Sequence, residues 1–393
     1  MSNLDPMAYV NRLAPANAQE RARQGFISAA RRHIMVDLSQ SLSQDYESVA
    51  APQWQAEHGQ APTDSHEVRK AMLRRPLFNA FSSLRYNAQE MVWASVQDQI
   101  ERNWEKLNAA AKELSAERCG SLTLDPSLPM PRDVTTMDIH LMPGCWHEEY
   151  AADDAAQGAV FELGSNVFGG GLKFARRGSV AYSIAHYLRE AYPDFEPRRI
   201  LDLGASIGTN TLPYAEVYPE AEVYALDVAA PQLRHGHARA TAAGVPVRFV
   251  QQNAEATSFD PGSFDLVVSS YFFHELSVKS TRRVLAEAHR LLAPGGLTVH
   301  MELPDSGQAD PYYNFYLDWD AYYNNEPHYA AFRNQDPREL LTAAGFDDSN
   351  LMIKRIPNYC ATDPEEFAAM IRGEKATPAH GNGASWCLFG AWR

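Results

Sequence analysis

Two glycines and an acid carry the first chemical signal in this chain. Gly204 and Gly208 bracket the turn in Asp202-Leu203-Gly204-Ala205-Ser206-Ile207-Gly208, and Asp227 stands 23 residues beyond Gly204. Glycine has no side chain, so a ligand can approach the backbone closely. A turn that opens a helix also presents unpaired N–H groups. An acid at the tip of the next strand can accept hydrogen bonds from both hydroxyls of a ribose. Further along, Asn253-Ala254-Glu255 suits contact with an adenine edge. The spacing Gly-x-x-x-Gly lacks the third glycine of a nicotinamide-binding fingerprint. His274, in Tyr271-Phe272-Phe273-His274-Glu275, has the ordinary pKa of a base working near neutral pH. As a base, it would give a rate that rises with pH through the histidine's titration. The structural alternative for His274 is a cap on the following helix.

These residues need a scaffold that brings strand ends together. Ile200, Leu201 and Leu203 read as a buried strand without polar alternation, as in a central parallel strand. Thr209 to Val217 reads as a helix, with strands at Ala221–Leu226, Val247–Gln252 and Phe264–Ser270. Ser280 to Leu292 reads as a helix facing the sheet, Leu297 to Leu303 as the fifth strand, and Leu351–Ile356 and Ser385–Trp392 as the last two. Alternating strands and helices predict a doubly wound α/β sheet with ligands at the carboxyl ends of its strands. Before it, Gln19–Tyr46 and Leu77–Leu114 carry apolar stripes at helical spacing that include Phe26, Leu84 and Met91, suited to a core or a dimer seam. Pro52–Pro62 reads as a loop, and the glycines of Phe161–Lys173 as turns or as a gate. The division expected is a mainly helical domain over 1–151 and a catalytic domain over 152–393. The catalytic domain carries a tyrosine-rich insertion at 305–335.

Taken in order, Asp202–Gly208, Asp227, Asn253-Ala254, Phe264-Asp265-Leu266-Val267 and Leu291–Gly296 resemble the motifs of class I S-adenosylmethionine-dependent methyltransferases. The branch they are most similar to contains quinone-biosynthesis and small-molecule enzymes. The resemblance covers roughly 178–393. One departure is Ser206, where the family usually has glycine. The resemblance implies a Rossmann-like seven-stranded sheet whose last strand is antiparallel. It also implies S-adenosylmethionine as cofactor, held by Asp202, Gly204, Ala205, Ser206, Gly208, Asp227, Val228, Asn253, Ala254 and Ser270. The acceptor would be a small aromatic or apolar metabolite, with oxygen favoured over nitrogen or carbon as the methylated atom. Its wall would include Tyr271, His274, Glu302, Tyr313, Trp319, His140 and Trp146. Such a transfer is an in-line displacement that mainly needs alignment and exclusion of water. The alternatives are a non-methyl use of the cofactor, such as aminocarboxypropyl transfer or cyclisation, and a catalytically retired scaffold subunit. No Asn/Asp-Pro-Pro-aromatic motif follows the fourth strand, which disfavours methylation of exocyclic amines or glutamine side chains.

Composition narrows the partners. A net charge of −14 opposes binding to nucleic acid, which needs a basic face. Four scattered cysteines form no CxxC pair, which fits a reducing compartment without a zinc ribbon. The amino-terminal residues do not read as a signal peptide, and no apolar run reaches membrane-spanning length. The expectation is a cytoplasmic protein with a small-molecule substrate, a homodimer seam among the N-terminal helices, and no metal. A cluster drawn from His140, His147, Glu148 or Glu302 has no helical ligand spacing.

Overall fold

The computed structural model describes residues 8–117, 119–170, 179–381 and 383–393. Its centre is one sheet built from β1 (Ser121–Thr123), β2 (Arg199–Leu203), β3 (Glu222–Asp227), β4 (Val247–Gln251), β5 (Phe264–Ser270), β6 (Leu292–Glu302), β7 (Leu351–Pro357) and β8 (Ser385–Trp392). The strand order is β1-β4-β3-β2-β5-β6-β8-β7. Strands β1 to β6 pair in parallel, and β8 runs antiparallel to both β6 and β7. The final antiparallel strand is as expected. The sheet has eight strands rather than seven because three residues, Ser121 to Thr123, pair with Arg248 to Val250 at the open edge. A three-residue strand in a proline-flanked segment leaves no periodic trace in sequence.

The sheet reverses its winding direction between β2 and β5, since β3 and β4 lie to one side of β2 and β5 to the other. That switch point is where open α/β sheets hold ligands. The register aligns Leu203 with Leu226 and with Ser269, so the chain leaves β2, β3 and β5 at one edge. Residues such as Ile200, Leu201, Val267, Val268 and Val299 are wholly buried, as strands covered on both faces require.

The helical part departs from the sequence reading in detail. The helix Ala51–His58 occupies most of the predicted Pro52–Pro62 loop, and the loop begins only at Gly59, whose φ is +81°. Pro52 is tolerated because a widened π turn, Tyr46–Ala50, precedes it and loosens the hydrogen-bond ladder. The long stripe is two helices, Pro76–Arg102 and Trp104–Ser115, broken at Asn103. Val92, Trp93, Val96 and Ile100 bury against Ala156, Ala159, Val160 and Leu163 of the helix Ala156–Gly170. Gly164 permits this, since a Cβ there would stand 2.2 Å from the Trp93 ring. Phe26, Leu84 and Met91 belong to the predicted stripes but are exposed. Residues 171–178, which include Gly171 and part of the suggested glycine gate, lie outside the described residues. Among the described residues no helix is long and apolar enough to cross a membrane.

Candidate active site

The turn after β2 is held open by hydrogen bonds. Gly204 and Gly208 have φ of +68° and +74°. Ser206 has φ +49°, a conformation that costs a residue with a side chain about 1–2 kcal/mol. Two contacts offset that strain. Its N–H donates to Asp227 Oδ2 at 2.8 Å, and its hydroxyl lies 3.2 Å from Gln232 Oε1. Serine in place of the usual glycine is therefore anchored rather than merely tolerated. A Cβ on Gly204 would stand 2.2 Å from Phe272, so the residue after Tyr271 packs directly on the glycine turn.

Asp227 accepts a second backbone bond, from Ala229 at 2.9 Å to Oδ1. Each carboxylate oxygen accepts one of these two protein donors and retains acceptor capacity for a hydroxyl. Burial raises its pKa, against the pull of the amides. Asp202 accepts from Thr211 Oγ1 at 2.5 Å. Burial pushes its pKa up to about 7, Thr211 opposes, and Asp227 adds to the rise. Val228 offers its carbonyl to Gln251 Nε2 at 2.9 Å. Asn253 caps its own turn by accepting from the Glu255 N–H, and Ala254 is buried below it against Leu226. The Ser270 hydroxyl is buried without a partner. A cradle closed to any Cβ, an acid with spare acceptor sites and an orphaned hydroxyl fit a nucleoside-bearing cofactor at this edge.

Beside the turn runs a chain of alternating acids and histidines. Glu302, at the end of β6, accepts the N–H groups of Phe272 and Phe273 at 2.8 and 2.6 Å through Oε1. Its Oε2 lies 2.6 Å from His274 Nδ1. His274 Nε2 is 3.5 Å from Glu275 Oε1, and the same oxygen is 3.1 Å from His140 Nε2. His140 Nδ1 then lies 3.2 Å from Glu326 Oε1 and 2.6 Å from Asn324 Nδ2. His274, Glu275, Glu302 and Asn324 are all nearly inaccessible to solvent.

The carboxylates decide the charge of both rings. Burial alone would favour neutral His274, but Glu302 and Glu275 hold its pKa well above 6.5. Burial likewise opposes charging His140, and Glu326 and Glu275 lift it to about 10. Glu275 is pulled down to about 2 by His140 and His274, against its burial. This corrects the expectation of a histidine titrating near neutral pH. A ring held protonated there is a hydrogen-bond donor, and it can take up a proton only after giving one away.

The backbone delivers His140 under strain. His140, Leu141 and Cys145 have φ of +58°, +56° and +50°. The His140 carbonyl accepts from Trp93 Nε1 at 2.7 Å and Gln89 Nε2 at 3.1 Å, which fixes the segment on the Pro76–Arg102 helix. Trp146 lies edge-on to His140 with ring centroids 5.9 Å apart, and its carbonyl accepts from Gln232 of the helix after Asp227. His140 and Trp146, both named for the acceptor wall, are thus held beside the strand ends by contacts with the Pro76–Arg102 helix and with Gln232.

Other expected wall residues fall differently. Tyr271, with φ +56°, is 42% exposed at the rim. The Tyr313 hydroxyl pairs with His380 Nδ1 at 3.0 Å. Trp319 is a core residue: it packs against Phe78 and Phe81, and its indole N–H lies 2.9 Å from Ser82 Oγ. The insertion helix Pro311–Tyr323 needed an apolar face to dock on the N-terminal helices, and Trp319 supplies part of it. Sequence reasoning missed Glu326 and Asn324, because no spacing links a loop of the insertion to residue 140.

Among the described residues, His274, Glu275 and Glu326 offer three ligand atoms within 4.8 Å of one another, a spacing that would admit a cation. His140 already stands between Glu275 and Glu326. His147 and Glu148 are not part of that group.

Residues 200–296 match the family model described as a methyltransferase domain. With the fold and turn described above, this segment has the architecture of class I S-adenosylmethionine-dependent methyltransferase domains. Among similar proteins is the demethylmenaquinone methyltransferase of Thermus thermophilus, 39% identical over 108 residues, or 28% of this chain and 48% of that one. Another is the ubiquinone/menaquinone biosynthesis C-methyltransferase UbiE of Dinoroseobacter shibae, 28% identical over 183 residues, covering 44% of this chain and 64% of its own. The chain therefore spans about half to two thirds of the length of these relatives. A solved phosphoethanolamine N-methyltransferase 2 of Haemonchus contortus in complex with S-adenosyl-L-methionine is 18% identical with a TM-score of 0.35, over 55% of this chain and 56% of that one.

Proposed function

We propose that this protein transfers the methyl group of S-adenosylmethionine to a small aromatic acceptor carrying a hydroxyl. The observation that carries the reading is the direct packing of Phe272 on Gly204, which sets the His274–Glu275 chain against the cofactor turn. Asp227 would hold the ribose hydroxyls, and the turn from Gly204 to Gly208 would receive the close approach of the cofactor backbone. When bound, the cofactor supplies a methyl group on a positively charged sulfonium.

The chain's own residues then have three tasks. The N-terminal helices and the 305–335 insertion cover the acceptor and exclude water. Trp146 and Tyr271 bound it with aromatic surface. His274, fixed through Nδ1 by Glu302, presents Nε2–H as a charged donor. A donor of that kind lowers the pKa of the acceptor hydroxyl, which gives its proton to bulk solvent as it binds and reacts in the ionised form, the stronger nucleophile. Oxygen is our favoured site of methylation for that reason. The names of the quinone-methylating relatives support a second reading, in which the same ionised hydroxyl activates a ring carbon.

The test has two parts. Calorimetry should show binding of S-adenosylhomocysteine, and Asp227→Ala should weaken it by roughly tenfold or more, the loss of one charge-assisted contact. Incubation with methyl-deuterated cofactor and phenolic metabolites, followed by mass spectrometry and acid ether cleavage, separates oxygen from carbon products. Absence of cofactor binding by the unmutated chain would end the methyltransferase reading.

A further inference from the structure

Two arginines in the N-terminal helices are buried without enough negative charge to match them. Arg31, Arg85 and Gln89 are each 1% exposed. Arg31 Nη1 donates to Gln89 Oε1 at 2.7 Å, and Arg85 Nη1 reaches the same oxygen at 3.4 Å. Arg85 Nε donates to Asp320 Oδ1 at 2.6 Å. The Arg31 guanidinium lies 4.0 Å from the centroid of the Phe168 ring. Its Nε and Nη2, which share one edge of the guanidinium, are buried with no hydrogen-bond partner.

That arrangement is costly as it stands. Two guanidiniums share one carboxylate and one neutral amide oxygen, and an uncompensated buried charge is strongly destabilising. The orphaned edge of Arg31 is the fork that takes two oxygens of one carboxylate or phosphate side by side. The place is also suggestive. Gln89, which touches both arginines, donates through Nε2 to the His140 carbonyl, so this pair adjoins the residue that joins the acid–histidine chain.

We infer that Arg31 and Arg85 form an oxyanion anchor for the acceptor, whose aromatic body then lies between this anchor and the His274–Glu275 chain. The acceptor is accordingly a small aromatic acid or phosphate ester, not a neutral quinol. Phe168 closes one face of the anchor, and Gln89 ties its position to that of His140. This inference rests on the methyltransferase reading above.

The experiment uses the full chain saturated with S-adenosylhomocysteine, after calorimetry has established that the cofactor product binds. A failure at that first step sinks the methyltransferase reading. Only the later steps bear on the anchor. Thermal melts are recorded against benzoate and inorganic phosphate, each compared with chloride at equal ionic strength. The parent should gain a saturable rise in melting temperature from at least one of them, and the lower saturating concentration tells carboxylate from phosphate. Arg31→Met, and Arg31→Lys if the first variant folds poorly, should lose that response at least tenfold in apparent affinity while binding S-adenosylhomocysteine as before. Three results would each overturn the anchor. One is no saturable rise over chloride with either anion. Another is an equal rise in the Arg31 variants. The third is a loss of S-adenosylhomocysteine affinity in those variants, which would assign the guanidinium to the cofactor's own carboxylate.

Discussion

Replacing Glu275 with Gln tests the acid–histidine chain at its middle link. Glu275 Oε1 lies 3.1 Å from His140 Nε2 and 3.5 Å from His274 Nε2, so one substitution uncouples both rings. Lifting the pKa of His140 from 6.5 to about 10 corresponds to roughly 5 kcal/mol of preference for the charged ring. Burial opposes the charged ring, and Glu326 and Glu275 together overcome it. Removing the Glu275 charge leaves both buried rings short of a carboxylate, a change of the kind that costs about 3–5 kcal/mol. The variant should therefore melt roughly 5 °C or more below the parent.

The pH dependence of that gap has a definite sign. His140 has a folded pKa above its unfolded value, so its contribution is complete below about 6.5 and is lost as pH rises through about 10. Glu275 has a folded pKa lowered to about 2, so its contribution holds above about 4.5 and fades only as pH falls toward 2. The gap should be widest between about pH 5 and 6.5 and narrow as pH rises toward 10. Calorimetric melts of both proteins across that range are the assay. A gap as wide at pH 10 as at pH 7 would mean that lost packing, not charge pairing, causes it. A variant as stable as the parent at pH 7 would refute the reasoning outright.

Two further outcomes follow from the same edge of the sheet. Gly204→Ala adds a methyl 2.2 Å from the Phe272 ring at a φ of +68°, so cofactor affinity by calorimetry should fall at least tenfold, and unchanged affinity would show that Phe272 can move aside. His274→Gln should lower turnover by about 10² or more while leaving cofactor affinity nearly unchanged. Because the carboxylates hold His274 protonated well above pH 6.5, the parent's rate should show no inflection between pH 6 and 7. An inflection there that disappears in His274→Gln would restore the histidine as an ordinary base.

The cofactor edge was legible in the sequence because its signals are local. A buried parallel strand has no polar alternation, a left-handed turn selects glycine, and an acid closes the next strand, so Ile200 to Gly208 and Asp227 declare themselves within about thirty residues. The sheet's winding follows from the same alternation of strand and helix. The partners of His274 could not be read this way. His140 comes from a segment of positive φ pinned by Gln89 and Trp93, and Glu326 from a loop of the insertion, with Asn324 beside both. Nothing in residue type or spacing couples position 140 to 275 or 326. Only the docking of three separate chain segments does. Trp319 shows the converse: an aromatic in a tyrosine-rich stretch reads as a binding wall until packing puts it in the core between helices. The protonation of His274 was equally hidden, since an imidazole's pKa is set by which charges surround it in three dimensions. Here Glu302 and Glu275 surround it at a depth where water screens them little.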